Sequence, residues 1–112
     1  MHEMSVAEGI LKIAFDVMNK NDCSTIRAIG LKLGDMSGVE LESLTLAFNV
    51  LIRDTPARDA RLNINRVPIT AQCNKCLKTF NVEHYNFLCP ECDGVLILKS
   101  GRELQVEYVD VD

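Results

Sequence analysis

Four of the five cysteines form two pairs, and within each pair two residues separate the thiols. Cys73 pairs with Cys76 and Cys89 with Cys92, and residues 77–88 lie between the pairs. Each Cys-x-x-Cys can form a tight turn that points two thiolates at one cation, and the intervening segment suffices for a short hairpin. Four thiolates at tetrahedral corners favour zinc, with Zn–S distances near ~2.3 Å. The spacing therefore predicts a zinc site with four cysteine ligands.

Two other interpretations of these cysteines stay open, namely a pair of disulfides and an iron site of the rubredoxin type. Disulfides are disfavoured in the cytoplasm. A cytoplasmic location is what we expect, because charged side chains punctuate the first twenty residues, where a signal peptide would have an apolar stretch. Four protein thiolates leave no open coordination position, so we expect the zinc to be structural and not catalytic.

The first three residues offer a different set of metal ligands. The Met1 α-amine, the His2 amide nitrogen and the His2 Nδ1 can chelate one ion through adjacent small rings. Ni²⁺ and Cu²⁺ favour such square-planar nitrogen ligation. Glu3 can supply the fourth donor through its amide or its carboxylate. Taken alone, a histidine at position 2 is a weak indication of a metal site, because most termini are simply mobile.

The charge pattern argues against nucleic acid and membranes as partners. The formal net charge is −4, and no run of basic residues occurs. Within residues 71–99 three lysines balance three carboxylates, and a zinc ion with four thiolates adds a further −2. Binding to phosphate backbones needs clustered Lys and Arg. The longest apolar run, Val95 to Leu98, is far too short to span a bilayer.

Hydrophobic periodicity predicts an α+β fold, with two helices on one face of a small three-stranded sheet and a four-cysteine zinc ribbon inserted before the last strand. Ser5 and Glu8 fit a capping box at the start of the first helix, which would end near Lys20. The remaining expected elements are strands at 26–33, 62–69 and 104–109 and a helix at 41–52. Pro68 indicates a bulge or an edge position. We expect an α/β domain over 1–70 and 100–112 and a zinc-ribbon domain over 71–99.

Several segments together resemble the HypA family (including HybF) of nickel-insertion proteins for [NiFe]-hydrogenase maturation. The similar segments are Met1-His2-Glu3-Met4-Ser5, Leu33 to Glu40, both cysteine pairs, and Ser100-Gly101-Arg102-Glu103-Leu104. The resemblance covers essentially the whole chain in order. Its most specific part is the conjunction of His2 at the start with four late cysteines. The first cysteine pair departs from the family pattern, because Leu77 stands where a glycine would follow Cys76.

The resemblance implies a nickel metallochaperone without catalytic residues. It implies nickel binding at His2 and Glu3 with the Met1 amine, structural zinc at the four cysteines, and a GTPase partner of the HypB type. The recipient would be the hydrogenase large-subunit precursor, with urease as an open second client and a homodimer as an open state. The alternatives are a zinc-ribbon module that binds proteins or nucleic acid, and a zinc hydrolase. Neither alternative explains the N-terminal triplet.

Overall fold

The computed structural model describes residues 3–112, which form two helices and six strands. The helices are α1 (Glu3–Lys20) and α2 (Leu41–Leu51). The strands are β1 (Ile26–Gly34), β2 (Arg61–Val67), β3 (Thr70–Cys73), β4 (Thr79–Asn81), β5 (Leu96–Ser100) and β6 (Leu104–Val111). They build two three-stranded sheets, in the orders β2-β1-β6 and β4-β3-β5. The predicted fold class is thereby confirmed.

The first sheet places its most hydrophobic strand in the middle. The Ile26 N–H donates to the Pro56 carbonyl and the Asp35 N–H to the Val67 carbonyl, so β2 runs parallel to β1. Thr25 and Asp112 exchange two backbone hydrogen bonds, so β6 runs antiparallel on the other side. The parallel pair is joined through α2, as a parallel crossover requires. β2 is therefore an edge strand and ends at Val67, since Pro68 cannot donate to the ladder.

The main core lies between the two helices and β1. Its buried members come from α1, β1, α2 and the turn after α2: Ala7, Ile10, Leu11, Ala14, Met18, Ile26, Ile29, Leu31, Leu44, Ala47, Phe48, Ile52 and Ala57. Phe48 is the one aromatic residue among them, in keeping with the scarcity of aromatic residues in the chain. A second, much smaller cluster consists of Ala71, Cys73, Cys89 and Leu96. Neither helix in the described part of the chain is both long and apolar enough to cross a membrane.

The chain separates into two compact units. The first unit comprises the chain up to Lys32 together with Gly38–Asn65 and Gln105–Asp112; the second comprises Leu33–Ser37 and Arg66–Leu104. The second unit contains all four paired cysteines. The predicted limits of the zinc-ribbon domain, 71 and 99, stay a prediction.

The predicted start of α1 is wrong. Ser5 is not an N-cap, because the helix already includes Glu3 and Met4. Nothing in this segment interrupts helical geometry, and an acidic residue in the first turn is favourable at the positive end of the helix dipole. The capping-box pattern at Ser5 and Glu8 thus lies inside the first turns of the helix.

Candidate metal centres

The two cysteine pairs come together in the second unit. The four Sγ atoms all lie within 4.8 Å of one another, and among residues 3–112 this is the one such cluster of metal-ligating side chains. Cys73 Sγ lies 3.4 Å from Cys92 Sγ, and Cys76 Sγ lies 3.8 Å from Cys89 Sγ. Sulfurs at tetrahedral corners ~2.3 Å from one ion stand roughly 3.8 Å apart. A disulfide would need about 2.0 Å, so the geometry fits a tetrahedral metal site.

Backbone N–H groups aim at the sulfurs from both turns. In the first turn the Lys75 and Cys76 N–H groups donate to Cys73 Sγ at 3.4 and 3.5 Å. In the second turn the Glu91 N–H donates to Cys89 Sγ at 3.4 Å, and the Gly94 N–H donates to Cys92 Sγ at 3.3 Å. Such bonds stabilise thiolate over thiol. These N–H groups therefore favour the thiolate form of Cys73, Cys89 and Cys92, which is the form that a metal requires.

The thiols differ widely in acidity when no cation is present. Hydrogen bonding from the Cys76 N–H is the main cause that lowers the pKa of Cys73 to about 6. The Gly94 N–H lowers the pKa of Cys92, but hydrogen bonding with Cys73 and burial outweigh it and raise that pKa to about 12. The pKa of Cys76 is also raised, since burial and the neighbouring sulfurs outweigh the Lys78 N–H. One thiolate thus suppresses ionisation of its neighbours, and only a bound cation can keep all four charged.

Two residues besides the four ligands complete this site. A Cβ added at Gly94 would lie 2.4 Å from Cys73 Sγ and 3.2 Å from Cys92 Sγ, so only glycine leaves room for the sulfurs. Asn74 links the two turns, because its N–H donates to the Val95 carbonyl and its Oδ1 accepts from the Val95 N–H. Sequence reasoning gave neither residue this role. The glycine two residues after Cys92 was the one available signal.

Leu77 occupies the position where the family pattern has glycine, and its backbone is left-handed, with φ at +64°. Its N–H donates to the Cys73 carbonyl, which closes the turn around the first cysteine pair. The side chain is 65% exposed, so it gains little from packing. The turn therefore keeps the backbone conformation that a glycine would adopt, and Leu77 bears the resulting backbone strain.

An ion pair flanks the cysteine cluster. Lys78 Nζ lies 2.9 Å from Glu91 Oε1, and the two residues join the first cysteine turn to the second. The pKa of Lys78 is raised, chiefly by its hydrogen bond to Glu91 and with smaller contributions from Cys76 and Cys89. The cation thus partly offsets the negative charge of four thiolates on one metal.

Of the predicted nickel ligands, only Glu3 falls within the described residues; Met1 and His2 lie outside them. Glu3 stands in the first turn of α1, and its Oε2 accepts from the Glu40 N–H at 3.4 Å. Glu40 caps α2, since its side chain accepts from the Ser43 N–H. The Glu3 carboxylate is therefore oriented by the start of the second helix.

His84, Cys23 and three arginines lie at surface or structural positions. His84 is exposed, at the tip of the segment between the cysteine pairs, with a left-handed φ of +53°. Cys23 is partly buried against the main core, and its Sγ contacts the Asn21 carbonyl. Arg53, Arg58 and Arg61 are all exposed. The structure brings none of these residues into the cysteine cluster.

Comparison with known proteins shows the family of this chain. A sequence model described as "Hydrogenase/urease nickel incorporation, metallochaperone, hypA" matches residues 1–111. The chain belongs to the HypA family. A hydrogenase maturation factor HypA from Albidiferax ferrireducens is 36% identical over 113 residues, and the alignment covers 100% of both chains. The corresponding protein from Alkalilimnicola ehrlichii is 37% identical with the same coverage.

Solved HypA structures share the fold. The solution structure of the Ni metallochaperone HypA from Helicobacter pylori superposes with a TM-score of 0.68 at 21% identity, covering 99% of this chain and 97% of that one. A second structure, titled "Solution structure of HypA protein", gives a TM-score of 0.73, again at 21% identity, with coverage of 99% and 96%. At this identity the likeness establishes the fold. The family match over residues 1–111 and the full-length relatives confirm the predicted resemblance to the HypA family.

Proposed function

We propose that this chain binds one Ni²⁺ at its N-terminus and delivers it during maturation of [NiFe]-hydrogenase. The match of residues 1–111 to the nickel-incorporation family carries this proposal. The ligands proposed are the Met1 amine, the His2 amide and Nδ1, and Glu3. The first N–H groups of a helix have no intrahelical partner. Because α1 begins at Glu3, its first amides have no intrahelical acceptor and could serve a metal or a carboxylate.

The proposed mechanism is ligand exchange and involves no catalysis. A set of nitrogen donors from one terminus encloses the ion on one side only, which leaves a face open to an incoming ligand from the recipient. The nickel then passes between proteins without becoming a free ion. Release requires moderate affinity, and protonation of the amine and the imidazole supplies a route to it, since both must be deprotonated to bind nickel.

The cysteine cluster is proposed to hold one structural zinc ion. Cys73, Cys76, Cys89 and Cys92 would fill all four tetrahedral positions, so the ion would take no further ligand. Zinc bound there orders a segment whose own buried cluster is small. The ordered segment would present a docking surface to the maturation partners, which we propose to be a GTPase of the HypB type and the hydrogenase large-subunit precursor. A urease client and a homodimer are compatible with the same arrangement.

Nickel content of the hydrogenase tests this function. The chromosomal gene would be replaced by versions encoding His2→Ala, or Glu8→Ala as a matched control on the exposed side of α1. We expect His2→Ala to lower nickel in the purified large subunit severalfold and Glu8→Ala to leave it unchanged. Wild-type nickel content in the His2→Ala strain, with the variant expressed at normal level, would contradict the proposed role of the terminus.

A further inference from the structure

A cavity of about 500 Å³ in the first unit is lined by three arginines, and its lining includes neither Glu3 nor any of the paired cysteines. Its wall contains Arg27 on the central strand β1, Arg61 on the edge strand β2, and Arg58 in the connection that leads into β2. Half of the six arginines of the chain line this cavity, and none of the six lysines does. A volume of this size is typical of small-ligand sites.

Two of these arginines have unpaired guanidinium groups within the described residues. Among residues 3–112, neither Arg27 nor Arg61 forms an ion pair or a side-chain hydrogen bond. Arg58 has only a long ion pair with Asp59, at 3.9 Å between exposed side chains. By contrast Arg66, outside the cavity, donates twice to one Asp35 oxygen, at 2.9 and 3.1 Å. The cavity therefore keeps guanidinium groups available, in a chain that is acidic overall.

Burial and hydrogen bonds fix the backbone of residues 55–57, which precede Arg58. Ala57 is fully buried in the main core, and the Ile26 N–H donates to the Pro56 carbonyl. Thr55 closes the turn, since its Oγ1 donates to the Ile52 carbonyl at 2.6 Å and accepts from the Ala57 N–H at 3.1 Å. The other two arginines stand on adjacent parallel strands. Such fixed backbone positions reduce the entropy lost when a ligand is bound.

We propose that this cavity binds a small ligand through a phosphate or carboxylate oxyanion. Guanidinium groups present planar pairs of donors that match these oxyanions, and Arg is preferred over Lys where bidentate recognition matters. Thr25 and Asn63 add polar groups to the wall. Asp59 and Asp110 also line the cavity, which leaves an excess of one positive charge. That balance favours a ligand with few charges over a polyanion such as nucleic acid.

The test is an NMR titration of the full-length, zinc-loaded protein at constant ionic strength. Inorganic phosphate and succinate serve as the two probes, so that the stronger one identifies the oxyanion class. We expect saturable shifts confined to amides of the cavity wall, such as those of Thr25, Ile26 and Asn63. Arg27→Gln and Arg61→Gln should each weaken binding at least about tenfold, because each removes charged hydrogen bonds.

Arg53→Gln is the matched control. Arg53 is exposed and lies, like Arg58, between α2 and β2, but it does not line the cavity. It should change the affinity by less than about twofold, as expected for an exposed charge that does not line the cavity. Unchanged shifts of core amides in each variant show that the fold is intact. Absence of saturable binding by either probe, or an equal loss in Arg53→Gln, would overturn the proposal.

Discussion

At the level of single residues, the four clustered cysteine thiols do not all ionise merely because they lie close together. Hydrogen bonding lowers the pKa of Cys73 to about 6, whereas the pKa of Cys92 is raised to about 12. A metal ion that binds here must displace protons from the less acidic thiols. Metal affinity should accordingly fall as the pH falls, because protons compete for the same sulfurs.

Gly94 provides a residue-scale prediction about the proposed zinc site. A Cβ at this position would meet Cys73 Sγ at 2.4 Å, so Gly94→Ala should displace a ligand and weaken zinc binding at least about tenfold. Competition with a chromophoric chelator measures the affinity. Gly9→Ala is the control, since nothing lies within 4 Å of a Cβ there and alanine favours the helix. Equal zinc affinity in the two variants would refute the steric assignment.

Leu77 yields a prediction of opposite sign. Its left-handed backbone costs an L-residue roughly 1–2 kcal/mol, and its exposed side chain returns little. Leu77→Gly should therefore stabilise the second unit by up to about 1 kcal/mol after the entropy of glycine is included. Hydrogen exchange of the amides of β3 and β5 reports this change. Faster exchange in the variant would show that the Leu77 side chain stabilises the turn.

At the scale of elements, the carboxylates at the two helix starts have different functions. Glu40 caps α2 through the Ser43 N–H, and Glu3 of α1 accepts from the Glu40 N–H. Glu40→Ala should therefore destabilise the protein by about 1 kcal/mol, as loss of an N-cap does. Chemical denaturation measures the difference. The control is Glu42→Ala, an exposed first-turn residue that should change stability by less than about 0.5 kcal/mol. An equal effect of both substitutions would show that capping is not the cause.

The sequence predicted elements better than it predicted their ends. Apolar periodicity placed both helices and the three strands of the first sheet, because burial against one core enforces the same spacing that the pattern reveals. It misplaced the start of α1, since Ser5 and Glu8 satisfy a capping pattern that the chain does not use. It also continued a strand as far as Ile69, whereas β2 ends at Val67 before Pro68.

The candidate site was predictable only as far as its ligands. The spacing of the four cysteines indicates a metal site, since two Cys-x-x-Cys pairs are typical of tetrahedral metal sites and of few other structures. Gly94 and Asn74 also shape the site. Gly94 leaves room for the Cys73 sulfur, and Asn74 forms two hydrogen bonds with Val95; both contacts exist only in the folded chain. Arg27 is far in sequence from Arg58 and Arg61, so only the pairing of β1 with β2 brings the three arginines to one cavity.

At the scale of the whole molecule, the two units differ in what stabilises them. The first unit contains the large core between the helices and β1. Two of the four buried hydrophobic positions in the second cluster are the cysteines Cys73 and Cys89. We therefore expect the stability of the second unit to depend on the proposed zinc ion far more than that of the first unit does.

Metal removal should consequently unfold one unit and spare the other. After chelation under reducing conditions, we expect amides of β3, β4 and β5 to lose protection from hydrogen exchange, while those of α1 and α2 keep theirs. Cys73→Ala should give the same pattern without a chelator. Cys23→Ala is the control, because this thiol lies apart from the metal cluster. Simultaneous loss of protection in the helices would contradict the independence of the first core.

Nickel titration by calorimetry of the untagged protein tests whether the N-terminus binds the nickel. Wild type should bind one Ni²⁺ per chain, release protons on binding, and lose affinity steeply between about pH 7.5 and about pH 6, where the amine and the imidazole take up protons. His2→Ala, or one residue added before Met1, should abolish this binding and leave zinc content unchanged. An extended or His2→Ala protein that binds nickel with wild-type affinity would contradict the account.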